Sequence, residues 1–113
     1  MKILNVLSID EFRQICSQLG GIKRTEHSLD RIHREALADK IIAIIHVDKG
    51  HKNGPEYHVI TENAGISIIN SSSLKFITTL NARPGQLRRY KIDIPEDVMQ
   101  KAYTNSKLGL NRV

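Results

Sequence analysis

Three histidines, His46, His51 and His58, lie within thirteen residues in the middle of the chain. An imidazole can accept a proton near neutral pH and return it once charged, so two histidines can act as a base and an acid. Beside a phosphate, His51 and His58 could cleave RNA through its own 2′-hydroxyl, with Lys49 or Lys52 holding the non-bridging oxygens. The alternative is a solvated loop that carries ordinary surface histidines.

A metal site is a rival use of these histidines. Their spacings of five and seven residues match no standard zinc pattern, and Cys16 is the only cysteine that could assist. A single cysteine also excludes a disulfide within the chain. We therefore expect no metal and no other cofactor.

A second group of candidate residues lies between positions 83 and 91, which contain four cations, one aromatic residue and no acid. The group comprises Arg83, Arg88, Arg89, Tyr90 and Lys91. The planar guanidinium of arginine suits phosphate, and a strand would place Arg88 and Tyr90 on one face. These cations are candidate RNA contacts. The alternative is an edge strand that its charges keep soluble.

The net charge of +5 is unevenly distributed along the chain. Residues 1–73 carry nine Lys/Arg and nine Asp/Glu, whereas residues 74–113 carry eight Lys/Arg against three acids. Such asymmetry favours a basic surface directed at phosphates, so RNA or another polyanion is the expected partner. A solvated basic face without a partner is the alternative.

The length of 113 residues predicts one domain, and 40% hydrophobic residues are enough for a core. The segment from Met1 to Leu7 is too short and polar for a signal peptide, and no apolar run approaches the ~20 residues that span a bilayer. We expect a cytoplasmic protein with no membrane partner.

The sequence predicts an α+β fold with two N-terminal helices, a four- to five-stranded antiparallel meander sheet and a C-terminal helix. A capping box at Ser8 and Glu11 predicts a helix over 9–19. Ser28 is a candidate N-cap for a second helix, predicted over 29–39. An exposed face of that helix is expected to carry Arg31, His33 and Arg34. Strands are expected over 41–47, 57–61, 65–69, 74–80 and 87–92. A last helix starts at Asp93 or Ile94 and ends at Gly109, with Val98, Met99 and Ala102 toward the sheet. All helices are expected on one side of the sheet.

Over residues 28–92, this element order resembles the barnase–EndoU–colicin D–RelE group of metal-independent ribonucleases. The resemblance lies in the hairpin strands from Glu56 to Tyr90, which lead through Thr78-Thr79 into the basic segment. The chain also resembles small phage and mobile-element proteins with an Ala-Arg-Pro-Gly-Gln-like turn, here at 82–86. The resemblance implies the following site residues: His51 and His58 as base and acid, Lys49, Arg83 and Arg88 as phosphate contacts, and Tyr90 and Thr78 as helpers on the same face.

Two functions follow as expectations. The first is a metal-independent RNA endonuclease, as a toxin or phage effector, with a possible protein inhibitor as partner. The second is a non-catalytic regulator that binds nucleic acid or a host protein through its basic C-terminal third.

Overall fold

The computed structural model describes residues 1–21 and 40–109 of the chain. Five antiparallel strands form one sheet in chain order. The strands are β1 (Lys2–Leu7), β2 (Ile41–Asp48), β3 (Glu56–Thr61), β4 (Gly65–Asn70) and β5 (Phe76–Asn81). The helices are α1 (Ile9–Gln18), α2 (Pro84–Arg88) and α3 (Glu96–Lys107). These elements confirm the α+β class and the antiparallel meander, while the helix predicted over 29–39 lies outside the described residues.

The inner strands β2, β3 and β4 carry buried, mostly apolar side chains on both faces of the sheet. In β2, for example, Ile44 and Ile45 point to opposite faces and both are fully buried. A sheet that is apolar on both faces must be covered on both faces. This requirement determines where the helices lie.

The helices cover opposite faces, so the prediction that all of them pack on one side was wrong. Phe12 of α1 belongs to a buried cluster with Ile44 and Val59. Leu87 of α2 and Val98 of α3 belong to the cluster on the other face of the sheet. Strands that are buried on both faces need a layer of cover on each side of the sheet.

The start of α1 confirms the predicted capping box. The backbone N–H of Glu11 donates to Ser8 Oγ at 3.1 Å, and the N–H of Ser8 donates to Glu11 Oε1 at 2.9 Å. The helix ends at Gln18, one residue earlier than expected. Gly20 and Gly21 follow with φ of 84° and 87°, a conformation that glycine adopts without strain.

The edge strand β1 was not predicted. It pairs with β2 through Val6–Ile45 and Leu7–Ile44, with an irregularity between Ile3 and Asn5. None of its residues is fully buried. The alternation of buried and exposed side chains that identifies a strand in a sequence is therefore weak here.

The predicted strand over 87–92 was wrong, because this stretch begins within α2. Pro84 occupies the first turn, where its fixed φ suits a helix, and Gln86 Oε1 accepts the N–H of Arg83 at 2.7 Å. Leu87 is fully buried, and Lys91 turns the chain with φ of 55°. Pro84-Gly85 fits a β-turn, but proline also fits the first turn of a helix, and the helix forms here.

The C-terminal helix α3 agrees with the prediction on its buried face. Val98 and Ala102 are buried, and Met99 is partly buried against the same cluster. Its N-cap is Pro95, so the helix starts slightly later than Asp93 or Ile94. No helix among residues 1–21 and 40–109 is both long and apolar enough to cross a membrane.

Replacing Leu87 by alanine tests the packing of α2 in the core. Because this side chain is fully buried, we expect Leu87→Ala to lower the free energy of unfolding by about 2–5 kcal/mol. Leu108→Ala is the matched control, since Leu108 is 65% exposed, and should change it by less than about 0.5 kcal/mol. Urea denaturation measures both values, and equal effects would contradict the packing of α2.

Candidate functional site

His58 is buried in the centre of the sheet. It lies on β3, the middle strand, between its Cα partners Ile45 and Ile68. Its side chain points to the face that α2 and α3 cover, and the residue is only 2% exposed. A polar ring at this depth is costly unless both of its nitrogens have hydrogen-bond partners.

Both ring nitrogens of His58 have a side-chain partner. Nδ1 lies 2.6 Å from the Tyr90 hydroxyl, and Nε2 lies 3.0 Å from Glu56 Oε1. A carboxylate can only accept, so Nε2 carries the hydrogen of the neutral ring and Nδ1 accepts from Tyr90. This tautomer follows from the hydrogen-bond network.

The two partners reach His58 from different parts of the chain. Glu56 precedes it by two residues on β3, a spacing that places both side chains on one face. Tyr90 follows α2, and its ring meets the imidazole edge to face, with centroids 5.7 Å apart. The three residues form a buried polar junction, Glu56–His58–Tyr90, that links the sheet to the segment after α2.

A small cleft opens beside this junction. It has a volume of about 80 Å³, and His58 and Tyr90 contribute to its lining. The other polar lining residues are Lys49, Gln86 and Arg89. Lys49 Nζ lies 3.8 Å from Glu56 Oε1, so one of the two cations is partly neutralised by the junction.

Burial shifts the protonation of both rings toward their neutral forms. It lowers the pKa of His58, and the nearby Lys49 charge adds to this, although the Glu56 carboxylate opposes it. It also raises the pKa of the Tyr90 hydroxyl well above its usual range, with a further contribution from the Glu56 charge. At neutral pH the junction therefore holds a neutral imidazole and a protonated phenol.

Four of the residues predicted from sequence lie together. His58, Tyr90, Lys49 and Arg89 all line the cleft. Thr78 lies on the same face, in register with Ile68, but two strand spacings or roughly 10 Å from His58.

The remaining predicted residues do not line this cleft. His51 lies on an exposed turn, where its carbonyl accepts the N–H of Gly54. Exposed positions also hold the other predicted phosphate contacts, Lys52, Arg83, Arg88 and Lys91. Arg88 donates to the Tyr103 hydroxyl of α3, and its guanidinium lies 5.6 Å from the centre of that ring.

His46 lies on the opposite face of the sheet. Its ring stacks on Tyr57 with centroids 4.7 Å apart, and its Nε2 is buried without a hydrogen-bond partner. Burial lowers the pKa of His46, so the ring is stable there in its neutral form. It shares no cleft with His58.

Sequence reasoning missed Glu56 and Gln86. The Glu56-x-His58 spacing could have indicated the first, because alternate residues of a strand share a face. Among the residues that the structure describes, no group of three or more His, Cys, Asp or Glu side chains could hold a metal ion.

Comparison of the chain with protein-family models, with curated proteins and with solved structures finds no match.

Removing the Tyr90 hydroxyl tests the buried junction. Tyr90→Phe leaves Nδ1 of His58 without its donor, which we expect to lower the free energy of unfolding by about 1–3 kcal/mol. Tyr103→Phe is the matched control, because its hydroxyl is exposed and should contribute less than about 1 kcal/mol. Chemical denaturation at neutral pH compares the two, and a harmless Tyr90→Phe would contradict the junction.

The lowered pKa of His58 predicts how stability depends on pH. The unfolded chain binds a proton near its ordinary pKa of about 6.5, whereas the folded chain does so only at lower pH. The stabilising contribution of the neutral His58 ring is therefore fully present above about pH 6.5, and it is lost as the pH falls toward the pKa of the folded state.

Thermal unfolding between about pH 7.5 and 5.5 should show a falling Tm, and the fall should be smaller in His58→Gln. His46 contributes in the same direction, since burial also lowers its pKa, so the difference between wild type and His58→Gln isolates the His58 share. An identical pH dependence in both proteins would contradict burial of a neutral His58.

Proposed function

We propose that the chain is a ribonuclease that needs no metal ion and acts at the His58 cleft. One observation carries the proposal: a buried imidazole, held between a carboxylate and a phenol hydroxyl, lies beside a cleft with Lys49 and Arg89 in its wall. Groups with shifted pKa values cluster at active sites, where burial and neighbouring charges produce the shifts.

The size and charge of the cleft support a polymeric phosphate substrate. Pockets for drug-sized ligands measure roughly 300–1,000 Å³, so a cleft of about 80 Å³ admits only a phosphate-sized group. The rest of such a substrate must lie outside, across the surface of a chain whose net charge is +5. A nucleic acid backbone meets both conditions.

The junction can relay a proton from the 2′-hydroxyl of RNA. As that oxygen attacks phosphorus, its proton passes to the Tyr90 oxygen while the Tyr90 proton moves to Nδ1 of His58. The Glu56 carboxylate at Nε2 stabilises the resulting imidazolium, and Lys49 and Arg89 offset charge on the phosphate oxygens. The 5′-oxygen leaves with a proton from water, which yields a 2′,3′-cyclic phosphate and a free 5′-hydroxyl. The hydroxide so formed takes a proton from the Tyr90 hydroxyl as the proton on Nδ1 of His58 returns to the Tyr90 oxygen, which restores the junction.

The raised pKa of Tyr90 fits the role of a relay. A phenol that stays protonated at neutral pH passes one proton on as it receives another, and it need not ionise beforehand. The lowered pKa of His58 keeps the acceptor nitrogen free of a proton. Because the reaction consumes the 2′-hydroxyl, the substrate is RNA and not DNA.

The resemblance to the barnase–EndoU–colicin D–RelE group adds a biological role to this proposal. By that resemblance, the chain would act as a toxin or phage effector in the cytoplasm, with a protein inhibitor or a host factor as its partner.

A second candidate is RNA binding without cleavage. Two observations favour this candidate: His58 is only 2% exposed, and both of its ring nitrogens have hydrogen-bond partners. A buried histidine with a purely structural role has the same arrangement. In that case Lys49 and Arg89 hold phosphates, and the junction only keeps the cleft in shape.

Incubation of RNA with purified protein in EDTA tests the first candidate. We expect cleavage products with cyclic phosphate ends, and a rate that falls about 10²-fold or more in Tyr90→Phe because the relay is lost. The matched Tyr103→Phe variant should cleave normally, since its hydroxyl binds Arg88 outside the cleft. Cleavage at the wild-type rate in Tyr90→Phe would contradict the relay.

Salt-dependent binding separates the two candidates. Each lost phosphate contact should reduce the slope of log K against log salt by about 0.7 for a single strand, so Lys49→Gln and Arg89→Gln should each show that change. Intact RNA that binds with this dependence favours the second candidate. If the protein neither cleaves nor binds RNA, both candidate functions are contradicted.

A further inference from the structure

A second, larger groove lies between α3 and the far end of the sheet. Its volume is about 610 Å³, within the usual range of ligand sites. Four carboxamide side chains stand out in its lining: Asn63, Asn81, Gln100 and Asn105.

Three separate elements bring these carboxamides together. Gln100 and Asn105 lie on α3, together with Lys101 and Thr104, at spacings that share one side of a helix. Asn81 is the last residue of β5 and Asn63 lies in the turn between β3 and β4. The groove is therefore a product of the fold and not of one loop.

Hydrogen bonds hold one wall of the groove in place. Lys101 Nζ donates to the Glu62 carbonyl and to Asn63 Oδ1, each at 3.1 Å, which ties the turn to α3. Because Lys101 occupies Asn63 Oδ1, the amide group of Asn63 is the part left to donate. Thr104 Oγ1 donates to the Gln100 carbonyl at 3.1 Å, so its lone pairs are left to accept.

The charge of the groove indicates an uncharged ligand. Lys101 and Asp97 contribute one charge of each sign, so a phosphate or a carboxylate gains nothing there on balance. Carboxamides instead offer a donor and an acceptor in one plane. This matches the edge of a nucleobase, and asparagine or glutamine pairs with the N6 and N7 edge of adenine through two hydrogen bonds.

We propose that this groove binds an adenine base of the RNA strand whose phosphate enters the His58 cleft. The inference rests on the proposed action on RNA. Asn81 pairs with Gly65, three residues or roughly 10 Å along β4 from Ile68, the Cα partner of His58. It also lies two strand spacings across the sheet from β3, so Asn81 and His58 are roughly 14 Å apart. A strand of a few nucleotides spans that distance. The groove supplies base preference, whereas the cleft supplies contact with the backbone.

Titration of ¹⁵N-labelled protein with adenosine tests the groove without any phosphate. We expect the side-chain amide signals of Asn63, Asn81, Gln100 and Asn105 to shift. The amide of Asn70 serves as an internal reference, because it donates to the Asn53 carbonyl away from the groove. Gln100→Ala should weaken adenosine binding about 10-fold. The matched control Gln18→Ala removes an exposed carboxamide of α1 and should leave adenosine binding unchanged.

No shift with millimolar adenosine would overturn the inference. Equal shifts with cytidine, glucose or a small amide would also overturn it, because the groove would then lack preference for adenine. The two proposals can fail separately. If RNA is neither cleaved nor bound at Lys49 and Arg89, the proposed function is contradicted. The adenosine titration still shows whether the groove binds adenine.

Discussion

The structure around the cleft depends on the burial of one polar ring in the middle of the sheet. His58 occupies a position that an aliphatic residue would fill in most sheets, between Ile45 and Ile68. A buried imidazole without partners would cost several kcal/mol, so its two nitrogens require a donor and an acceptor at defined points. Glu56 and Tyr90 meet that requirement, and Tyr90 can do so only if α2 lies where it does.

The same constraint explains why cations gather at the cleft. Glu56 is needed to accept from His58, and its carboxylate attracts Lys49 to 3.8 Å. Arg89 directly precedes Tyr90, so docking of the Tyr90 ring also brings Arg89 to the cleft. The junction therefore places positive charge beside a neutral imidazole.

Local patterns in the sequence predicted much of the fold. The capping box located α1, and β-branched runs bounded by turns located β2 to β5. The first strand was missed because its side chains are largely exposed. The sequence predicts a strand at α2 because Pro84 fits both a β-turn and the first turn of a helix. Errors of this kind arise where the same residues are compatible with two different local structures.

The site was predictable only in part. Residue type and charge singled out His58, Tyr90, Lys49 and Arg89, but their grouping depends on a contact between residues 32 positions apart, which no local pattern encodes. The three histidines close together in sequence suggest His51 as the partner of His58. However, the turn from His51 to Gly54 keeps the His51 side chain in solvent. The carboxylate partner was within reach of sequence reasoning, since Glu56 and His58 alternate on one strand.

The protonation state of the His58 ring tests the buried junction most directly. Long-range ¹H–¹⁵N NMR spectra distinguish the two ring nitrogens and follow each of them through a pH titration. A hydrogen on Nε2, an unprotonated Nδ1 and a pKa below the ordinary histidine range are expected from the contacts with Glu56 and Tyr90. A hydrogen on Nδ1, or a titration at the ordinary value of about 6.5, would contradict the buried junction on which the cleft depends.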